Sequence, residues 1–179
     1  MGKKVLLLLC FMVIGDYLGD KAYADEHKYV GAGKCKMCHS SDAKGNQYKI
    51  WAESKHAKAY ENLSSEDAKK FAEEAGLKTD PQESQECLKC HVTAFGVKDD
   101  LKEESFNVAD GVQCESCHGA GGDYKSLSVM KDRQKAIEAG LIIPTKELCI
   151  KCHNPESPNY KEFNFDESYK KIAHPKPKS

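Results

Sequence analysis

Apolar residues are sparse along this chain and fall into readable rhythms only in short stretches. The first is a continuous run from Val5 to Ile14, behind Lys3 and Lys4. A polar stretch follows and closes on Ala22-Tyr23-Ala24. A basic start, a short apolar middle and an A-x-A site read as a secretory signal peptide, with cleavage expected after Ala24. About ten apolar residues fall short of the roughly 20 that a membrane-spanning helix needs. The bulky Leu9 before Cys10 argues against a lipoprotein anchor there. The expected organisation is a signal peptide over 1–24 and one domain over 25–179, exported to the periplasm, with no membrane span in the mature chain.

Beyond the signal, four stretches carry helical spacing. In NQYKIWAESKHAKAYENL, 46–63, the positions Tyr48, Trp51, Ala52 and Ala59 predict one amphipathic helix, with His56 between Lys55 and Lys58. SSEDAKKFAEEA, 64–75, predicts a surface helix with Ser64 as N-cap, Asp67 three residues on and Gly76 as its stop. Residues 128–139 predict another, capped by Ser128 and ended by Gly140. In FNFDESYKKIAHPKP, 163–177, Asp166 is placed to cap a short helix whose Phe165, Tyr169 and Ile172 face inward and which Pro175 stops.

Composition makes these short elements a problem. Only 40% of residues are hydrophobic, 31% are charged, and mean hydropathy is −0.65. Removing 24 of the 179 residues leaves 155, enough for one domain but with little of its own to bury. Chains of this kind usually draw the deficit from disulfides or a bound cofactor. Lys3, Lys4 and Lys21 leave with the signal, as do Asp16 and Asp20, so 24 basic side chains face 26 acidic ones. There is no basic stripe and no footprint for nucleic acid.

Cysteine supplies the answer. CKMCH occupies 35–39, CLKCH 87–91, CESCH 114–118 and CIKCH 149–153, and these four copies hold eight of the nine cysteines. The ninth, Cys10, departs with the signal. Cys-x-x-Cys pairs occur in zinc ribbons and in thioredoxin-like redox sites. Neither demands a particular residue after the second cysteine, yet all four copies have histidine there. Covalent attachment of c-type haem does demand it: two thiols add to the two vinyl groups of one porphyrin, and the next imidazole meets the iron. Four haems are therefore expected, bound through Cys35, Cys38, Cys87, Cys90, Cys114, Cys117, Cys149 and Cys152, with His39, His91, His118 and His153 as iron ligands. At one porphyrin per about 39 residues, the haems would form the core themselves, since burial energy follows apolar area.

The sixth iron positions are short of histidine. Only His27, His56 and His174 remain in the mature chain, three for four irons. His56 and His174 sit on predicted helices and are the better placed. His27 stands three residues past the expected cleavage site, where termini fray. Met130 and Tyr124 are the non-histidine candidates, because methionine and tyrosine also ligate haem iron.

The blocks between the motifs carry a resemblance. CxxCH, then SKHAKA, then CLKCHVTAFG, then GVQCESCHGAGGDY, then CxxCH and a closing F-x-F-D…H resemble the cytochrome c-554 family of tetrahaem electron carriers, from about Tyr29 to His174. The resemblance implies a mainly α, loop-rich multihaem fold around haems packed in stacked pairs. It implies His56 opposite His118 on the third haem, His174 opposite His153 on the fourth, and an open face opposite His91 on the second. The family's first haem takes a histidine shortly after the third clip. Tyr124 stands in its place here, so either His27 takes over on the first haem, or Tyr124 does, or that site is open too; His27 is the favoured substitute, giving three haems with two histidines each and one open.

GAGG, 119–122, lacks the Lys-Ser/Thr of a phosphate loop and is expected to let backbone approach a porphyrin. The leading expectation is a periplasmic carrier passing single electrons between redox partner proteins, as a monomer or weak oligomer, with no catalytic residues. Its acidic balance would suit partners with lysine-rich contacts. Two alternatives stand beside it: a reductase of nitric oxide, nitrite or hydroxylamine at the open haem, with Lys89 nearby, and a subunit of a conductive multihaem filament in which His27 reaches a neighbour.

Overall fold

The computed structural model describes residues 27–157 and 160–175, so the expected signal segment, Cys10 and the cleavage site lie outside the described residues. Within them the chain is helical and rich in loops, without a β-strand. The helices are α1 Ala32–His39, α2 Gln47–Ala52, α3 Ala59–Asn62, α4 Glu66–Glu74, α5 Gln85–His91, α6 Cys114–His118, α7 Leu127–Met130, α8 Arg133–Glu138, α9 Lys146–Cys149 and α10 Phe165–Ile172. Single 3-10 turns stand at Asp42–Lys44, Asp99–Leu101 and Val108–Asp110. The only extended pairing among the described residues is a parallel bridge between Tyr29 and Lys102.

Local polar groups redraw the predicted helices. The expected helix over 46–63 is two, α2 and α3, with His56 in the turn between. The His56 carbonyl accepts from Val112 N at 3.0 Å and from Ala59 N at 3.1 Å. Gly111 comes so close to that carbonyl that a Cβ would meet it at 2.8 Å, with φ at +68°, so only glycine fits. The cap of α4 is Ser65, which accepts from Ala68 N, while the hydroxyl of Ser64 turns back to the Glu61 carbonyl. The expected helix over 128–139 is also two: Ser128 lies inside α7, and Asp132 caps α8 by accepting from Gln134 N and Lys135 N. For α10 the cap is Asn164, one helical position before Phe165, rather than Asp166.

The protein's own core is thin. Among the described residues, its buried apolar side chains are Val30, Ala32, Leu63, Ala72, Val92, Ala120, Tyr124 and Ala136. Half are alanine, so little apolar area is removed from water by protein alone. Polar contacts carry the organisation in its place, and they converge on residues 111–116. Both carboxylate oxygens of the buried Glu115 take backbone donors: Oε1 from Val30 N (2.8 Å) and Gly121 N (2.7 Å), Oε2 from Gly31 N (2.8 Å). Gln113 accepts from Ala32 N and donates to the Asn107 carbonyl, both at 2.8 Å. The Thr93 hydroxyl donates to the Gly111 carbonyl and accepts from Gln113 N at 2.7 Å, which leaves Ser116 as its second donor at 2.6 Å. Trp51 Nε1 donates to the Val112 carbonyl at 2.8 Å.

GAGG is part of the same hub. A Cβ on Gly121 would meet Val30 at 3.1 Å and Glu115 Oε1 at 3.2 Å, and one on Gly122 would meet the Lys28 carbonyl at 2.9 Å. The close approach that these glycines permit is therefore to the segment entering α1 and to Glu115.

Candidate functional site

Each Cys-x-x-Cys-His copy is set on a helical turn. The first two end α1 and α5, and the third is α6 itself. The fourth begins on the last residue of α9 and keeps the turn through His153 N to the Cys149 carbonyl at 3.0 Å. Residues three apart on such a turn share a face, so each thiol pair points the same way. The following histidine is aimed by its other ring nitrogen. His91 Nδ1 lies 2.8 Å from the Ala59 carbonyl and His118 Nδ1 lies 3.2 Å from the Ile142 carbonyl. A carbonyl only accepts, so Nδ1 carries the proton and Nε2 is left with its lone pair outward, the arrangement of a metal-bound imidazole. His39 Nδ1 faces Gln47 Oε1 at 3.4 Å, and His153 is stacked on Phe163 with centroids 4.7 Å apart.

The four motifs form a row. The thiols of Cys35 and Cys114 lie close enough to shift each other's ionisation, which joins the first clip to the third. Cys117 lies within electrostatic reach of Cys149, joining third to fourth. Cys90 lies close enough to Cys152 to shift its ionisation, joining fourth to second, and Lys89 pairs with Glu156 at 2.8 Å alongside. Burial raises the Cys117 and Cys149 thiols, and burial with the Cys90 neighbour pushes Cys152 up to about 12.

Two further imidazoles come to these motifs. The ring of His56 stands 6.1 Å, centroid to centroid, from that of His153, and the ring of His174 stands 5.9 Å from that of His118. A metal–imidazole bond of about 2 Å on each side, with about 1.1 Å from ring edge to centre, separates two axial rings by about 6 Å. The spacing fits one iron between each pair. The rings that stand together differ from the pairing that the family resemblance implied: His56 lies by the fourth clip and His174 by the third. The reason is the route of the chain. The His56 turn is held on residues 111–112, while the end of α10 is drawn back to the first and third clips by Gln47 Nε2 donating to the Pro175 carbonyl at 2.9 Å. Burial lowers the pKa of His56, His118, His153 and His174, which keeps them neutral, the form that ligates a metal.

The residues weighed for the first haem are placed around the segment after the third clip. His27 Nδ1 is 2.5 Å from Asp123 Oδ2, and its ring lies against Gly140. Tyr124 is buried, and its hydroxyl donates to the Gly119 carbonyl at 2.8 Å. Burial first, then the nearby Cys35 thiol and Glu115, push its pKa up, so the phenolate that iron would need is disfavoured. Met130 ends α7 and is half-buried.

Beside the second clip is a cavity of about 460 Å³ lined by Leu88, Val92, Phe95 and Phe106 together with the charged Asp99 and Lys102. The aiming partners Gln47, Ala59, Ile142 and Phe163 carry no sequence signature: Ala59 and Ile142 act from 32 and 24 residues away, by backbone carbonyls that any residue supplies.

Thiol pairs on single turns, imidazoles with Nε2 left open and a protein core made largely of alanine are accounted for together by covalent porphyrins. The chain is a c-type cytochrome carrying four haem c groups. Its residues 34–119 match the family model described as cytochrome c554 and c-prime. It is 31% identical over 150 residues, 82% of its own length, to the protein named cytochrome c-554 from Nitrosomonas europaea, and spans 58% of that relative's length. The solved reduced state of cytochrome c554 from the same organism superposes with a TM-score of 0.59 at 27% identity, covering 82% of this chain and 83% of that one. The chain belongs to the cytochrome c-554 family.

Proposed function

We propose that this protein is exported to the periplasm, with cleavage after Ala24, and there carries electrons one at a time between redox partner proteins. The observation that supports this most directly is the row of clips, first–third–fourth–second, in which each lies within electrostatic reach of the next. When bound, the haems would supply one-electron iron couples. The chain's part is to hold them. His39, His91, His118 and His153 give Nε2 to the iron while Nδ1 or the ring face is fixed by protein. His56 and His174 occupy the sixth positions of the fourth and third haems, which makes both low-spin and stiff in coordination. His27 serves the first: Asp123 holds its Nδ1 and leaves Nε2 for the metal, the usual support for a ligating imidazole. The second haem keeps an open face.

Electron paramagnetic resonance and resonance Raman spectra of the oxidised protein test this, read with and without nitric oxide. One high-spin haem in four is expected. Four low-spin haems overturn the open second site. Replacing His27 with alanine is expected to make a second haem high-spin, and an unchanged spectrum overturns that assignment. Turnover of nitric oxide, nitrite or hydroxylamine by the reduced protein would replace the carrier reading with a reductase at the second haem.

A further inference from the structure

The overall charge of the chain, −1, averages two unlike surfaces. From Ala32 to Ala52, through α1 and α2, there are four lysines (Lys34, Lys36, Lys44, Lys49) and one acid, Asp42. Asp42 is occupied with Asn46 Nδ2 at 2.6 Å. Lys36 stands over the Tyr48 ring at 5.4 Å, which ties α1 to α2. Lys49 has only a loose partner, Glu53 at 4.0 Å. Lys34 and Lys44 have no carboxylate within ion-pair distance among the described residues.

The fold adds to this patch from the far end of the sequence. Gln47, the first residue of α2, donates to the Pro175 carbonyl, and a Cβ on Gly45 would meet that same carbonyl at 2.7 Å. Lys170 and Lys171 lie about one turn back along α10 from this contact. They too are exposed and without a carboxylate partner among the described residues. The acids of α10, Asp166 and Glu167, are at its opposite end.

The first clip opens onto this same surface. Of the eight described cysteines Cys38 alone is exposed, and Met37 beside it is 78% exposed. On α1, Lys34 and Lys36 are about 100° to either side of Cys35, so cations flank the thioether side of the first clip. The thioether edge is the part of a c-type haem that protein covers least when the clip itself faces solvent.

We propose that this cationic face around the first clip is the docking site for an acidic redox protein, and that electrons cross at the first haem. Opposite charges raise the encounter rate and orient the partner, while the exposed Met37 provides the apolar centre of the contact. The one-electron exchange oxidises the partner's centre and reduces the haem iron, or the reverse, with no bond made or broken. The proposal rests on the carrier reading above.

The test is stopped-flow reduction of the oxidised four-haem protein by a reduced plant-type [2Fe–2S] ferredoxin, an acidic one-electron donor, over a range of ionic strength. Haem content is read separately from absorbance in alkaline pyridine. The wild-type rate is expected to fall steeply with salt. The variant K34E/K36E/K170E/K171E is expected to react about tenfold more slowly at low salt and to converge with wild type at high salt. The milder K34Q/K36Q is expected to lose about threefold. The reversal K69E/K70E on α4 adds equal charge per site elsewhere and is expected to leave the rate nearly unchanged. Variants with four haems that react at the wild-type rate, or an equal slowing per charge by the α4 reversal, overturn the docking face and leave the carrier reading intact. A wild type that dithionite reduces but ferredoxin does not overturns the carrier reading, and the face with it.

Discussion

The third and fourth clips have the same five-residue grammar and opposite surroundings. In the third, the two spacer residues are Glu115 and Ser116. Glu115 is 2% exposed and holds three backbone N–H groups from Val30, Gly31 and Gly121, while Ser116 donates to Thr93. In the fourth, the spacers are Ile150, 42% exposed, and Lys151, also exposed. The sixth-position histidines are the other way round. The third clip faces His174, exposed near the end of the described chain, and the fourth faces His56, half-buried in an internal turn. A haem clip can thus be made rigid through its spacer or through its distal ligand. The third clip, spending its spacer on the first and second clips, works as the joint of the whole row.

The comparison is open to several breaks. The largest effect is expected from Glu115→Ala, which leaves three buried N–H groups without an acceptor. At about 1–3 kcal/mol for each unmet group, partly relieved by entering water, the holoprotein should lose about 4 kcal/mol in guanidinium unfolding. A loss under about 1 kcal/mol, the size expected at an exposed site, would mean that the hub carries no special weight. Gln113→Ala removes one acceptor and one donor and should cost about 2 kcal/mol by the same measurement.

Acid should separate the two distal ligands. Burial depresses the pKa of His56 and His174 below the ordinary histidine value of 6.5. A depressed folded pKa contributes stability that is present above that value and lost as pH falls through the folded one, because protonation then costs less in the released state. Low-spin signal is therefore expected to hold at neutral pH and to convert to high-spin on acidification. The third haem should convert before the fourth, since His174 is the more exposed. Conversion in the reverse order, followed by Raman spin-state bands, would contradict the ring pairing seen here. The smallest effect belongs to Ile150→Ala on the outer face of the fourth clip, expected to move stability by about 0.5 kcal/mol and the spectrum not at all.

Much was legible before any coordinates. The histidine after every second cysteine specified the cofactor, because thioether attachment and axial ligation both act within one helical turn and need no partner from afar. The polar composition foretold a core that protein side chains do not fill, and the alanine-rich set around Val30 and Ala136 has that character. Helix existence was readable, but continuity and caps were not. Tyr48, Trp51 and Ala59 kept their helical spacing while the His56 carbonyl left the helix to bond Val112, a residue 56 positions further on. Asp132 and Ser65 won their caps by local hydrogen bonds that neighbouring Ser128 and Ser64 were equally equipped to make.

The four clips, the count of seven histidines and the scarcity of apolar side chains were determined by sequence alone, since each is a matter of residue type and short spacing. Which histidine meets which clip was decided only by tertiary structure. So were the order of the clips in the row, the burial of Glu115 and the return of the chain beyond α10 to the start of α2. These depend on contacts such as Gln47 to Pro175 and Glu115 to Val30, between groups 128 and 85 residues apart, and a backbone carbonyl or amide leaves no mark in a sequence.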